Sequence, residues 1–208
     1  MKKIVIIGAN DFQNQLILKA KEMGFETHVF AWQDGSIGEK TADYFYPISI
    51  VETDAILEKC REIQPDAVAT IASDLANITV SKVAAGLGLP GNTPECIEIS
   101  TNKYAMRSAF KKAGLPTPAF YKVDHVTDEL YQMQLPIIVK PTDRSGSRAI
   151  TKITDFKDLP EAVRQAVGQS FEKKAIVEEY IEGNEYSYET ISYRGKHTNL
   201  AVTKKYTT

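Results

Sequence analysis

Short apolar runs alternate with stretches of helical periodicity through residues 1–90, and few folds accommodate that alternation. Residues 3–7 run apolar into Gly8, the pattern of a strand covered on both faces. Leu16, Ile17, Ala20 and Met23 then recur at helical spacing, and Gly24 closes that helix. Residues 26–30 read as a second strand. Residues 54–63 read as a helix, with Thr53 as N-cap and Pro65 just past its end. Residues 67–71 form a third predicted strand, and residues 76–87 a helix stopped by Gly88 and Pro90. A strand that must be followed by a parallel strand needs a crossover, and a helix fills it. The predicted architecture is therefore a parallel, doubly wound sheet with helices on both faces.

The pattern changes after residue 92. Thr93 is a predicted N-cap with Pro94 at the first helical position, and a helix over about 103–113 ends at Gly114. The LPTPAF segment, with Pro116 and Pro118, predicts a stiff extended linker. Then come a strand (120–123), a helix (127–133), a strand (137–141), a loop, a strand (149–153), a helix (158–169) and a strand (175–179). A hairpin follows: 186–193 alternates, Arg194-Gly195 turns, and 197–203 returns. Strands outnumber helices here, which predicts an α+β arrangement with antiparallel pairing. A length of 208 residues leaves room for one large domain or two small ones. With 43% hydrophobic and 25% charged residues, the chain reads as globular. A net charge of −2 with scattered basic residues argues against a general nucleic-acid or anionic-membrane partner. Cys60 and Cys96 lack metal-site spacing and fit free thiols in a reducing compartment. The apolar run in MKKIVIIGAN is too short for a secretory signal, and no segment reaches transmembrane length. A cytoplasmic protein is expected.

Four segments carry candidate chemistry. The turn Gly8-Ala9-Asn10-Asp11-Phe12-Gln13 follows a strand, as in a dinucleotide site, but lacks the second and third glycines, and Phe12 would crowd a pyrophosphate. Gly8 serves a tight turn, or the turn lines a substrate crevice together with Ser73-Asp74. Lys103 opens a helix, where the dipole disfavours a cation by a few tenths to ~1 kcal/mol unless an anion is near. Lys140 ends an apolar strand and is followed by Asp143-Arg144-Ser145-Gly146-Ser147-Arg148. Gly146 permits N–H groups to face an anion, Ser145 and Ser147 add hydroxyl donors, and Arg144 and Arg148 add charge. Taken alone, this fits either a phosphate cradle or a solvated basic hairpin turn. In VEEYIEGNE (177–185) a connector offers backbone groups to a base edge, and Glu185 offers a carboxylate to ribose hydroxyls; a solvated β-connection fits the same residues.

Taken in order, these segments resemble the ATP-grasp superfamily, which includes biotin carboxylase, the carbamoyl-phosphate synthetase large chain, phosphoribosylglycinamide synthetase-type ligases and D-alanine–D-alanine ligase. The resemblance runs from a Rossmann-like pre-ATP-grasp region through NKYAMRSAFKKAGLPTPAF, PIIVKPTDRSGSRA and IVEEYIEGNEYSYE to VTKKYTT. It implies a Rossmann-like parallel-sheet domain at 1–92 and an incomplete α+β ATP-grasp domain at 93–208. Within the latter, a first lobe would span about 115–178 and a second lobe would begin at 179–208. It implies that Lys103 and Lys140 meet the α- and β-phosphates of ATP and that Ser145, Gly146 and Ser147, with Arg144, close over the triphosphate. Glu178, Glu179, Tyr180 and Ile181 would hold adenine, and Glu185 the ribose. Lys205, or failing it Lys204, would approach the terminal phosphate.

The family's magnesium ligands and catalytic arginine have no counterpart in this sequence, so Mg2+ is expected only in a longer protein and no metal ligand is assigned here. The expected function is the ATP-binding part of a ligase, C-terminally truncated, that activates a carboxylate or bicarbonate as an acyl phosphate for attack by an amine or similar nucleophile. A non-catalytic nucleotide-binding regulatory module and a dinucleotide-dependent oxidoreductase are the alternatives. Expected partners are ATP and small carboxylate and nucleophile substrates; formation of a homodimer is left open.

Overall fold

A computed structural model describes residues 1–206; the last two positions of the expected second-lobe segment, 207 and 208, lie outside the described residues. The chain begins with β1 (Lys2–Ile7), α1 (Asp11–Glu22), β2 (Phe25–Phe30), α2 (Ile37–Thr41), β3 (Tyr44–Tyr46), α3 (Thr53–Ile63), β4 (Ala67–Ala69) and α4 (Asp74–Gly86). These strands form one sheet of order β3-β2-β1-β4, every pairing parallel. Side chains of β1 alternate between its faces. Val5 and Ile7 pack with Phe30, Ile56, Cys60 and Val83 on one side, and Ile6 packs with Ile17, Ala20 and Val29 on the other. The parallel sheet covered on both faces is thus present as expected.

Local chemistry sets several boundaries. Asn10 caps α1 through a capping box: its side chain accepts from Phe12 and Gln13 N–H, and the Gln13 side chain returns to the Asn10 N–H. Gly8 has φ +104, and a Cβ there would sit 3.0 Å from Gln13. Only glycine therefore serves the turn after β1. The helix α2 and strand β3 were not foreseen, since a five-residue helix and a three-residue strand are too short to show a period. Gly38 of α2 lies so close to α1's approach that a Cβ would fall 2.6 Å from the Ala9 carbonyl oxygen. Thr53 is not the N-cap of α3: Glu52 precedes the helix without a side-chain cap bond, and the Thr53 hydroxyl pairs instead with Thr79 at 3.1 Å.

The chain continues with α5 (Pro94–Thr101), α6 (Lys103–Lys112), β5 (Phe120–Val123), β6 (Ile137–Pro141), β7 (Thr151–Ile153), α7 (Leu159–Gln169), β8 (Ala175–Glu179), β9 (Glu185–Tyr193) and β10 (Lys196–Lys205). Thr93 caps α5 as expected, accepting from the Cys96 N–H. The expected helix over 127–133 is a 3-10 turn, Asp128–Gln132, too short to close an α-helical ladder. A second sheet has order β5-β8-β6-β7 and is antiparallel throughout. One face of it is apolar: Val123, Ile137, Val139, Ile153, Ala175 and Val177 pack on Leu159, Ala162, Val163 and Ala166 of α7. Strands β9 and β10 pair only with each other as a two-stranded ribbon, and both of its faces are exposed.

Two stability outcomes follow from the packing. Gly38→Ala should destabilise the fold by ~1–3 kcal/mol in denaturant titrations, because the backbone of α2 must move off Ala9. Asp43 accepts from Lys21 Nζ at 2.7 Å, Thr27 N–H at 2.9 Å and the Thr27 hydroxyl at 2.8 Å. The Lys21 bond, opposed by partial burial and aided by Thr27, holds the carboxyl down at about 2. A depressed carboxylate contributes stability above its unfolded value of ~3.9, and that stability is lost as pH falls through the folded value. Asp43→Asn should therefore unfold more readily than wild type near neutrality, and the gap should close between about pH 4 and pH 2.

Candidate functional site

The face of the second sheet opposite α7 is polar where its partner face is apolar. Direct cross-strand pairs share a face in an antiparallel ladder. Ile138 pairs with Glu178, Lys140 with Ile176, Phe120 with Glu178 and Lys122 with Ile176. Ile138 also pairs with Lys152 of β7. Lys122, Lys140, Lys152 and Glu178 therefore stand on one surface, among the apolar side chains of Phe120, Ile138 and Ile176. Helix α6 covers part of it, with Tyr104 edge-on to Phe120 at 5.5 Å between ring centroids.

Glu178 is only 4% exposed and is bonded on both carboxylate oxygens. Lys140 Nζ donates to Oε1, and Arg107 Nε donates to Oε2 at 3.0 Å. Burial opposes ionisation of this carboxyl, but the bonds from Arg107 and Lys140 outweigh it and hold it below the ordinary range. Lys103 lies close enough to Lys140 to feel its charge. Burial first, and then the Lys140 ammonium, push the Lys103 pKa down. Three cations thus converge around one buried carboxylate. An anion entering between Lys103 and Lys140 would meet both cations without having to strip either of bulk water.

The loop after β6 is tied at its root and open at its tip. Lys103 N–H donates to the Thr142 carbonyl at 2.7 Å, and Lys103 Nζ donates to the Arg144 carbonyl. Asp143 accepts from the N–H groups of Phe171 at 3.0 Å and Glu172 at 2.7 Å. The Arg144 guanidinium stacks on the Phe171 ring at 4.1 Å, and its buried Nε has no hydrogen-bond partner. Beyond this root, Ser145, Gly146, Ser147 and Arg148 are exposed, and Gly146, Ser147 and Ala149 all have positive φ. Backbone of that hand turns successive N–H groups toward one side, as anion-binding nests do.

In the connector after β8, the Glu179 N–H is taken by the Ala119 carbonyl at 2.9 Å, and the Tyr180 N–H by that of Pro136 at 3.2 Å. The Ile181 N–H donates to no group among the described residues. Lys152 Nζ sits 3.6 Å from the Tyr180 ring centroid. Glu185 and Lys205 meet each other across the open end of the ribbon at 2.8 Å, both exposed. Lys204 leans on the Tyr206 ring at 5.4 Å. No ion pair links Glu185 or Lys205 to the Lys103–Lys140–Glu178 group among the described residues.

The structure therefore gathers Lys103, Lys140, Glu178 and the Arg144 backbone, and leaves Glu185, Lys204 and Lys205 on the ribbon. Sequence reasoning missed Arg107 and the Asp143 clamp. Arg107 was detectable in principle, because it lies one helical turn beyond Lys103 and shares its face of α6. At the N-terminal turn, Asn10 takes the Phe12 and Gln13 N–H groups, and the Gln13 side chain reaches the Ile71 carbonyl. The cap thus takes two of the first amides of α1, which with the missing glycines weighs against the dinucleotide reading. Among the described residues no three Asp, Glu, His or Cys side chains converge as a group that could hold a metal ion.

Comparison with known proteins gives the same frame. The family model described as the ATP-grasp domain matches residues 100–208. The chain is 32% identical to D-alanine–D-alanine ligase B of Chromobacterium violaceum over 114 residues, covering 52% of this chain and 37% of the ligase. It is 23% identical to formate-dependent phosphoribosylglycinamide formyltransferase of Prochlorococcus marinus over 187 residues, covering 86% of this chain and 48% of that protein. The L-amino acid ligase structure from Bacillus licheniformis superposes with TM-score 0.83 at 26% identity, covering 99% of this chain and 50% of that one. The chain thus spans half or less of the length of these relatives. With a polar sheet face, a fastened glycine loop and a family match over more than half its length, the chain belongs to the ATP-grasp family.

Proposed function

We propose that this chain supplies the nucleotide-holding part of an ATP-dependent ligase. Residues 1–92 would act as a substrate-side domain, and residues 93–208 would form the ATP-grasp domain, with a first lobe over about 115–178 and a second beginning at 179. Within that reading, Lys140 and Lys103 bind the α- and β-phosphates. The observation that carries it is their convergence beside Glu178 on one half-buried polar face, with Lys103 Nζ donating to the Arg144 carbonyl at the root of the 145–147 loop. The Ser145 and Ser147 hydroxyls and the backbone at Gly146 cover the triphosphate. The unpaired Ile181 N–H and the Glu179 carbonyl meet the adenine edge, with Tyr180 beside it, while Glu178 stays behind them as counter-ion. Glu185 takes the ribose, which requires it to release Lys205, and that release frees the Lys205 ammonium for the terminal phosphate. One ligand event would thereby arm both strands at the open end of the ribbon.

The reaction assigned to the whole ligase is activation of a carboxylate or bicarbonate. A carboxylate oxygen attacks the γ-phosphorus of ATP, the bond to the ADP oxygen breaks, and an acyl phosphate forms. An amine or similar nucleophile then adds to the acyl carbon, and phosphate leaves with its bonding electron pair as the nucleophile sheds a proton. The residues of this chain neutralise and orient the phosphates, which is most of what a protein contributes to phosphoryl transfer. Magnesium, when bound, would supply further charge stabilisation, and no residue of this chain is assigned to it.

Lys140→Met should weaken ATP binding by ~1.5–3 kcal/mol, about 10- to 150-fold, as measured by calorimetry on protein shown to be folded by circular dichroism. Unchanged affinity would sink the phosphate assignment. Arg107→Gln leaves Glu178 buried with Lys140 alone, and should cost ~1–3 kcal/mol of stability at neutral pH. The folded pKa of Glu178 is depressed, so its contribution is present above the unfolded value of ~4.3 and lost as pH falls through the folded one. Removing Arg107 raises that folded value, and the acid-unfolding midpoint should move to higher pH.

A further inference from the structure

Residues 170–174 join α7 to β8 and lie outside every segment assigned to ATP. The N–H groups of Phe171 and Glu172 come after the last turn of α7 and before β8 begins, so neither element supplies them with an acceptor. Asp143 does: one carboxylate oxygen accepts from Phe171 at 3.0 Å and the other from Glu172 at 2.7 Å. Two bonds to consecutive amides fix that carboxylate in both position and tilt. Its neighbour Thr142 is fully buried and completes the seam. The Thr142 N–H and hydroxyl both donate to the Lys174 carbonyl, at 3.3 and 3.2 Å, and its own carbonyl accepts the Lys103 N–H at 2.7 Å.

The same turn reaches Lys103 by a second route. Glu172 Oε1 accepts from Asn102 Nδ2 at 2.9 Å. The acceptor end of that carboxamide, Asn102 Oδ1, takes the Tyr104 and Ala105 N–H groups at 3.0 and 3.1 Å and so caps α6. A carboxamide has one donor end and one acceptor end, so the Glu172 bond keeps it turned for capping. The contacts close into a ring. Asp143 binds Glu172, Glu172 binds Asn102, the chain leads on to Lys103, the Lys103 N–H binds Thr142, and the chain returns to Asp143. That ring fixes the backbone that carries the Lys103 ammonium. Burial and the Lys140 charge push the Lys103 pKa down, and among the carboxylates that oppose them Asp143 comes before Asp74 and Glu178.

We propose that Asp143 is a positioning residue of the nucleotide site: it clamps the turn after α7, and the closed ring holds Lys103 at a set place beside Lys140. Both of its oxygens are engaged with main-chain N–H groups, so it acts through Lys103 and not on the phosphates. Glu172 is the relay to the cap of α6. A site that works by placing charge depends on such supports, because a loosely held ammonium has to be ordered anew by each ligand. The proposal rests on the assignment of Lys103 and Lys140 to phosphate.

Displacement of a fluorescent ATP analogue from the full chain, by ATP and by adenosine, separates phosphate binding from base binding. Asp143→Ala should lower the preference for ATP over adenosine about tenfold, with the affinity for adenosine itself little changed. Glu172→Leu, a substitution at an exposed position, should lower that preference about threefold. Glu172→Gln keeps an acceptor oxygen for Asn102 Nδ2 and should restore it. A clamp that served the fold alone would weaken both ligands alike. Equal loss for ATP and adenosine, an unaltered preference in folded Asp143→Ala, or no difference between Glu172→Leu and Glu172→Gln would each overturn the proposal. Where circular dichroism shows Asp143→Ala unfolded, the Glu172 pair decides. Lys140→Met tests the underlying reading separately. An unaltered preference there refutes the phosphate assignment, whereas a lost preference there with an unaltered one in Asp143→Ala refutes the positioning role alone.

Discussion

A single buried carboxylate, Glu178, makes the candidate site physically tenable. Lys140 and Lys103 stand near each other on a face partly covered by α6, and two ammonium groups so placed repel and lose hydration. Glu178, bonded to Lys140 on one oxygen and to Arg107 on the other, offsets that cost without leaving a neutral surface. The group keeps a net positive charge and so remains attractive to a polyphosphate. Because Arg107 holds the second oxygen, Lys140 can turn from Glu178 to a ligand while the carboxylate keeps a partner. An unpaired buried carboxylate would instead cost several kcal/mol.

The same logic explains how the neighbouring loop combines firmness with reach. Its root is held by Asp143 to the segment before β8 and by Lys103 to the Arg144 carbonyl. Its tip carries consecutive small residues in left-handed backbone conformations and has no such ties. The anchored root fixes the start of the loop beside Lys103, and among the described residues no side-chain hydrogen bond holds the tip. The ribbon β9–β10 is the opposite case. Its tyrosines and branched residues, Tyr188 at 64% and Ile191 at 60% exposed, find no cover among the described residues. A two-stranded ribbon in isolation is marginal in water, so its pairing depends on the hairpin turn and the Glu185–Lys205 bridge more than on packing.

Much of the fold was legible from residue order. The alternation through β4, the Thr93-Pro94 cap, the Arg194-Gly195 turn and the lysine at the end of β6 are local properties, set by neighbours within a turn or a strand. The short elements α2, β3 and the 3-10 turn at Asp128–Gln132 were not legible, because they hold too few residues to show a period and depend on close contacts such as Gly38 against Ala9. The types of residue in the candidate site were likewise readable, but their partners were not. Glu178 meets Lys140 across 38 positions and Arg107 across 71, and those pairings exist only once strand register and the seating of α6 have placed them. Sequence by itself determined which side chains line the strands and helices. Tertiary structure alone decided which charges face each other, because an ion pair depends on distance through space, and residues distant along the chain come within reach only when the sheet is assembled.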